Sequence, residues 1–185
     1  MNTLSFQSEK GDSSQVILTL PALNANGVNN VVVQLNGCRY VTFKKISIMR
    51  SGTGIYQSVV EIKGKSTNNS FLNNQLIGIK LAATSTTSDV VTSAADKDTA
   101  NTFKNNLIKY GNSAINISGD AASHETFNVI DGNLVDSSFA TAINAIYNDA
   151  ITIKNNILTH SCYGNLTYSG IYLNTCNSKN CCYGQ

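Results

Sequence analysis

The chain has 185 residues, of which 13% are charged, and its formal net charge is +2 at pH 7. Because the net charge is small and Lys and Arg form no run, the composition argues against nucleic acid or an anionic membrane surface as a partner. No segment approaches the roughly 20 consecutive apolar residues of a membrane span, so we expect no membrane insertion. About one residue in seven is Asn, and Ser, Thr and β-branched residues are abundant. This composition favours an all-β, often extracellular, protein.

Three short strands are predicted in the first part of the chain. Residues 4–7, 16–20 and 31–35 are rich in apolar and β-branched side chains and are separated by polar turns. Pro21 ends the second strand, and the dipeptide Asn36-Gly37 after the third is a strong turn signal. The chain therefore begins as a succession of strands.

From residue 43 onwards one motif recurs, consisting of a large apolar residue, a sharp polar corner and a second apolar pair. The clearest copy, residues 101–108, reads NTFKNNLI. Other copies lie at residues 71–77, 130–135 and 153–158, and a degenerate copy without asparagines lies at 43–46. Successive anchors are about 23 to 32 residues apart, which is the range of solenoid repeats with loops of unequal length. These anchors are Phe43, Phe71, Phe103, Ile130 and Ile153.

The asparagines of the corner have a conformational explanation. Gly132 occupies the column of Asn105 and Asn155, and Gly and Asn are the residues that best tolerate positive φ. We therefore expect a two-residue left-handed corner in each copy. If the copies stack, their amide side chains also stack and share hydrogen bonds along the axis, as in an asparagine ladder.

A second repeated element follows each corner and reads apolar, polar, apolar. It occurs at residues 60–62, 114–117, 142–145 and 170–173, and Val90-Val91 fills the slot in the longest unit. Strand alternation predicts one set of side chains inside the core and another on the outer face. The inward set is Ile115, Ile117, Ile143, Ala145, Ile171 and Leu173, and the outward set includes Asn116, Asn144 and Tyr172. The Thr/Ser/Asp-rich residues 82–100 are predicted to form an inserted, protruding loop.

These repeats resemble those of right-handed parallel β-helix proteins with pectate-lyase-like coils. The resemblance rests on the pattern N-x-F/I-x-N-N-x-I followed by GIYL, and phrases such as LNGCRYVTF are similar to large secreted surface proteins of Bacteroidetes. It implies an all-β, right-handed parallel β-helix of about five to six coils, forming a single domain over residues 1–185. With no signal peptide at the start and no cap at the end, we expect both ends to be truncated parts of a longer array.

The outer face of the repeated element is the predicted ligand site. In β-helix enzymes of this superfamily the substrate lies along such a face, and Asn, Gln and Tyr side chains suit sugar hydroxyls and C–H faces. The expected partner is a neutral polysaccharide or cell-surface glycan, bound by an extracellular or cell-surface protein without a cofactor. The candidates are Gln34, Glu61, Asn116, Asn144 and Tyr172, with Tyr56, Tyr147 and Tyr168 as further stacking residues. A structural spacer or adhesin stalk remains an equal alternative.

Catalysis is the less favoured hypothesis. A calcium lyase needs several carboxylates and a base, whereas the predicted face offers only one carboxylate. A hydrolase pair could assemble from Asp131 and Asp136, although Asp131 more simply replaces Lys104 and Lys154 at an exposed corner. His124-Glu125 and His160 look isolated, and zinc ligation lacks a paired CxxC, so buried thiols better explain the cysteines. We therefore assign no catalytic residue and no metal ligand; the zinc candidates set aside are His160, Cys162, Cys176 and Cys181.

Overall fold

The computed structural model describes residues 3–22, 30–54, 58–81, 88–93, 96–160 and 167–177. These residues form three parallel sheets of six strands each, and the chain passes from one sheet to the next in every turn. The result is an all-β parallel solenoid of about five turns, as the repeats predict. The right-handed winding stays a prediction, supported by the strong preference for right-handed crossovers between parallel strands.

The strands of each sheet come from successive coils. The first sheet contains β1 (Leu4–Gln7), β4 (Val41–Lys44), β7 (Ser70–Leu72), β10 (Thr102–Lys104), β14 (Val129–Asp131) and β18 (Thr152–Lys154). The second contains β2 (Ile17–Pro21), β5 (Ser47–Ser51), β8 (Gln75–Ile77), β11 (Leu107–Lys109), β15 (Leu134–Asp136) and β19 (Ile157–Thr159). The third contains β3 (Val33–Asn36), β6 (Val60–Lys63), β9 (Val91–Ser93), β12 (Ser113–Ser118), β16 (Thr141–Ile146) and β20 (Ser169–Asn174). A short pair, β13 (Glu125–Thr126) and β17 (Asn148–Asp149), lies between the third sheet and the first.

The predicted anchors form one inward row on the first sheet. Phe43, Phe71, Phe103, Ile130 and Ile153 are in register on neighbouring strands, as predicted from the motif. Phe6 adds a member at the start of the row. The four phenylalanine rings stack with centroid separations of 5.0, 5.1 and 5.2 Å, which is the range favoured by aromatic pairs. The row runs along the length of the hydrophobic core.

The corners confirm the predicted positive φ and correct one detail. Asn73, Asn105, Gly132 and Asn155 have φ of 55°, 54°, 66° and 55°. The residue that follows each of them is not left-handed, so each corner contains one left-handed residue rather than two. The side chain of that following residue forms the asparagine ladder.

Two asparagine ladders run along the solenoid. In the predicted ladder, Oδ1 of Asn106 accepts from the backbone N–H of Asn74 at 2.9 Å, and Nδ2 of Asn106 donates to the carbonyl of Phe71 at 2.9 Å. The same pattern repeats from coil to coil through Asn74, Asn106, Asn133 and Asn156. A second ladder, not predicted, precedes the first sheet and is formed by Asn69, Asn101 and Asn128. The ladders satisfy backbone groups that the corners would leave unpaired.

Burial of the third-sheet side chains follows the predicted alternation except at the last strand. Ile115 and Ile143 have no exposed surface. Ile171 and Leu173 are in register with inward residues of β16 but are 47% and 40% exposed. Their inward register is as predicted, and they are exposed because, among the described residues, β20 has a neighbouring strand on one side only.

Much of the predicted inserted loop lies within the stack. Residues 88–93 and 96–100 are described, and β9 occupies the third-sheet slot of its coil, in register with β6 and β12. Asp98 is buried. The described part of residues 82–100 therefore belongs to the coil rather than to an excursion.

Candidate functional site

The predicted outward residues form one continuous row on the third sheet. Strand register aligns them in the order Gln34, Glu61, Thr92, Asn116, Asn144 and Tyr172, one from each strand. Thr92 is the member that the sequence does not predict, because the prediction places Val90-Val91 in its slot. In β9, Val91 is buried and Thr92 is its partly exposed neighbour. We call this the outer row.

A charged pair occupies the beginning of the outer row. Gln34 Nε2 donates to Glu61 Oε2 at 2.6 Å, and Lys63 Nζ lies 3.0 Å from the same oxygen. The carboxylate of Glu61 is therefore already bound to a cation and an amide. Its negative charge is largely compensated within the protein.

A directed chain of amides occupies the other end. Asn144 Nδ2 donates to Asn116 Oδ1 at 2.8 Å, and Asn116 Nδ2 donates to Asp89 Oδ2 at 2.7 Å. The other oxygen of Asp89 accepts from the backbone N–H of Ser113 at 2.8 Å. Burial raises the pKa of Asp89, and the hydrogen bonds from Asn116 and Ser113 oppose that rise. These bonds fix the orientation of both amides before any ligand arrives.

This end of the outer row borders a shallow groove of about 370 Å³. Its lining includes Asp89, Asn116, Thr141, Asn144, Ile146 and Tyr172. Tyr172 is 45% exposed, so the ring is available for stacking. Asn144 Oδ1 accepts no hydrogen bond from the described residues and is left to solvent or a ligand. The groove thus combines fixed amides with an accessible aromatic side chain.

A second cleft, of about 460 Å³, lies over the short strands β13 and β17. His124 Nδ1 lies 3.0 Å from Asp149 Oδ1, and the hydrogen bond from His124 lowers the pKa of Asp149. Lys97, Thr99 and Thr126 also line this cleft. The prediction that His124 is isolated is wrong, because the next coil contributes its partner Asp149.

The other residues considered for catalysis or metal binding are not assembled into a site. Asp131 and Asp136 lie on different sheets, and their carboxylates bind Lys104 at 3.1 Å and Lys109 at 2.9 Å. Asp131 is in register with Lys104 and Lys154, as predicted, but it is buried rather than exposed because these two lysines flank it.

The remaining candidates are partly outside the described residues, which exclude Tyr56, Cys162 and Cys181. Tyr168 stacks on His160 with ring centroids 3.8 Å apart, and Tyr147 packs against His124. Cys176 is half-buried against the core. In the part of the chain that the structure describes, no three His, Cys, Asp or Glu side chains converge as metal ligands.

Comparison with known proteins gives no match: no protein-family model, curated protein or solved structure corresponds to the chain. Within the described ranges, no helix has the length and apolar character needed to cross a membrane. The fold itself defines the class, a parallel β-solenoid repeat protein with buried asparagine ladders.

Proposed function

We propose that this solenoid is a carbohydrate-binding module of an extracellular or cell-surface protein, and that the outer row binds a neutral polysaccharide or cell-surface glycan. The observation that carries the proposal is the pre-oriented chain of Asn116 and Asn144 beside the exposed ring of Tyr172. Fixed amides present donors and acceptors to sugar hydroxyls without an ordering cost at binding. An accessible tyrosine offers an apolar face for C–H groups and a polar tip for water.

The shape of the site favours a polymer. Adjacent parallel strands are about 4.8 Å apart, so the outer row repeats at that spacing over six strands. A linear ligand that lies across the strands meets a new side chain at each step. A compact ligand would use only the groove at the Tyr172 end.

The charges on this face favour a neutral sugar over an acidic one. Asp89 lies in the groove, and the charge of Lys63 near the start of the row is already matched by Glu61. A uronate would therefore bring a negative charge next to a carboxylate, and the described lining of the groove offers it no cation. Like charges in such a position lower affinity.

The proposal is tested by calorimetric titration with neutral oligosaccharides of increasing length. We expect measurable affinity that rises with chain length, and a loss of at least about tenfold in Tyr172→Ala and Asn144→Ala. Tyr110→Ala, which changes a tyrosine outside the third sheet, is the matched control and should bind like the parent. A protein that binds neither neutral nor acidic glycans at millimolar concentration would instead be a structural spacer or adhesin stalk.

A second candidate is a polysaccharide lyase or glycoside hydrolase of the pectate-lyase-like superfamily, which the repeats resemble. The observation that favours it is the His124–Asp149 pair, because a histidine held at Nδ1 keeps Nε2 available for proton transfer. Assays for unsaturated products and for new reducing ends test it. The activity should disappear in His124→Gln and persist in His160→Gln, the chain's other histidine.

A further inference from the structure

Two carboxyl groups lie inside the solenoid, where the chain passes from the third sheet to the first. Asp98 and Glu125 have no exposed surface, and they come from neighbouring coils whose bridge residues Thr99 and Thr126 pair. Among the described residues, no Lys, Arg or His lies within ion-pair distance of either carboxyl. Two uncompensated negative charges in such a place would be strongly unfavourable.

The hydrogen bonds of the pair require an additional hydrogen. The backbone N–H of Ser66 donates to Asp98 Oδ1 at 2.6 Å, and Asn128 Nδ2 donates to Glu125 Oε2 at 3.1 Å. The two remaining oxygens, Asp98 Oδ2 and Glu125 Oε1, both contact the hydroxyl oxygen of Ser93, the first at 3.0 Å. A serine hydroxyl carries a single hydrogen. It can serve one of these oxygens, and the other contact needs a hydrogen from the carboxyl group itself.

We propose that Asp98 and Glu125 share one proton at neutral pH, which makes the cluster a pH-sensitive lock inside the fold. In this arrangement the protonated Glu125 donates to Ser93 Oγ, and Ser93 donates to Asp98 Oδ2. Each of the four carboxyl oxygens then has a hydrogen-bond partner, and the pair carries one negative charge instead of two. The lock does not depend on the identity of any ligand on the outer row.

The surroundings place the proton on Glu125. Burial raises the pKa of Glu125 to about 8 and that of Asp98 to about 6. The negative charge of Asp96 also reaches the pair and raises both pKa values further. His124 is next to Glu125 in sequence but is bound to Asp149 in the outer cleft. Ser66 and Asn148 occupy the equivalent positions in the coils on either side of the pair, and neither is titratable.

The sign of the pH dependence follows from these values. The pKa of Glu125 in the folded state, about 8, lies above the ordinary value of 4.5, so the folded protein holds the proton more tightly than the unfolded chain. This stabilisation is complete below pH 4.5 and is fully lost once the pH has risen to about 8. Between these two pH values, each unit by which the pH rises increases the equilibrium constant for unfolding about tenfold through this one group.

Chemical unfolding at pH 6 and pH 8 tests the lock. From Glu125 alone, the unfolding constant of the parent should rise by about 50-fold between these two values. Glu125→Gln should remove this rise, because its amide can donate to Ser93 and accept from Asn128 as the protonated carboxyl does. Glu61→Gln, which neutralises a carboxylate on the outer face of the third sheet, should keep the parent's slope. Equal slopes in the parent and in Glu125→Gln would overturn the proposal.

A direct titration removes dependence on the variant's folding. The ¹³C signal of the Glu125 side-chain carboxyl in the unmodified protein should titrate with a midpoint near pH 8. A midpoint at the ordinary value of 4.5 would overturn the proposal. So would stabilisation of the parent, but not of Glu125→Gln, by millimolar calcium, since a cation rather than a proton would then hold the pair.

Discussion

Replacing Phe103 by alanine probes the stacked core at its centre. Phe103 has no exposed surface, and its ring stacks on Phe71 at 5.2 Å. Truncating a buried phenylalanine costs about 3 to 5 kcal/mol, and loss of the aromatic pair adds about 1 kcal/mol. The expected loss is therefore about 4 to 6 kcal/mol, a large share of the stability of a typical domain. At about 2 to 4 °C per kcal/mol for a chain of this size, the midpoint of thermal unfolding should fall by about 8 to 24 °C.

Phe6→Ala is the matched control, because the same row offers the same chemistry with less burial. The ring of Phe6 stacks on Phe43 at 5.0 Å, but Phe6 is 45% exposed. Its truncation should cost about half as much stability as that of Phe103, because the hydrophobic contribution of a side chain is proportional to the apolar area that it buries. Thermal melts followed by circular dichroism measure both. If Phe103→Ala melts like the parent, or loses no more than Phe6→Ala, the assigned coil register is refuted.

Three further variants test the corners and the surface. Asn106→Leu leaves the N–H of Asn74 and the carbonyl of Phe71 unpaired in the interior, so denaturant titration should show a loss of about 2 to 5 kcal/mol; a loss below about 1 kcal/mol would contradict the ladder. Gly132, with φ of 66°, should accept Asn with a smaller drop in melting temperature than Val, because Asn tolerates positive φ; equal drops would contradict this. The hydrogen bond from Lys109 lowers the pKa of Asp136 below 3.8, so the stability that this ion pair contributes is present above that pH and is lost as the pH falls further. Asp136→Asn should therefore reduce the free energy of unfolding by less than about 1 kcal/mol at pH 7, and by less still in high salt. A larger loss that salt does not change would contradict this.

The fold could be predicted from the sequence because each coil repeats a local rule. A left-handed corner restricts the residue types that can occupy it, so Asn105 and Gly132 mark the same position in two coils. Alternation in the strands of the third sheet then separates Ile115 from Asn116, and stacking brings the outward residues into one row. None of these steps requires knowing which side chains meet across a loop.

The remaining features depend on contacts between coils that the sequence does not mark. Asp98 and Glu125 each lie five residues before an anchor, Phe103 and Ile130, so the repeat places them at equivalent positions of neighbouring coils. That spacing does not show that both carboxyls are buried and meet at Ser93. His124 and Asp149 are 25 residues apart, a separation that matches no single period of the repeat. Thr92 was missed because its coil has the longest connections, and the anchor motif sets no register for the short strand within them.

The most direct test of the proposed function is to map a bound glycan by NMR on the isotopically labelled protein. On titration with a neutral oligosaccharide, we expect shifts confined to the outer row and its groove, with the largest at the side-chain amides of Asn116 and Asn144 and the ring of Tyr172. The absence of shifts would contradict carbohydrate binding. Shifts centred on His124 and Asp149 would instead assign the sugar to the second cleft.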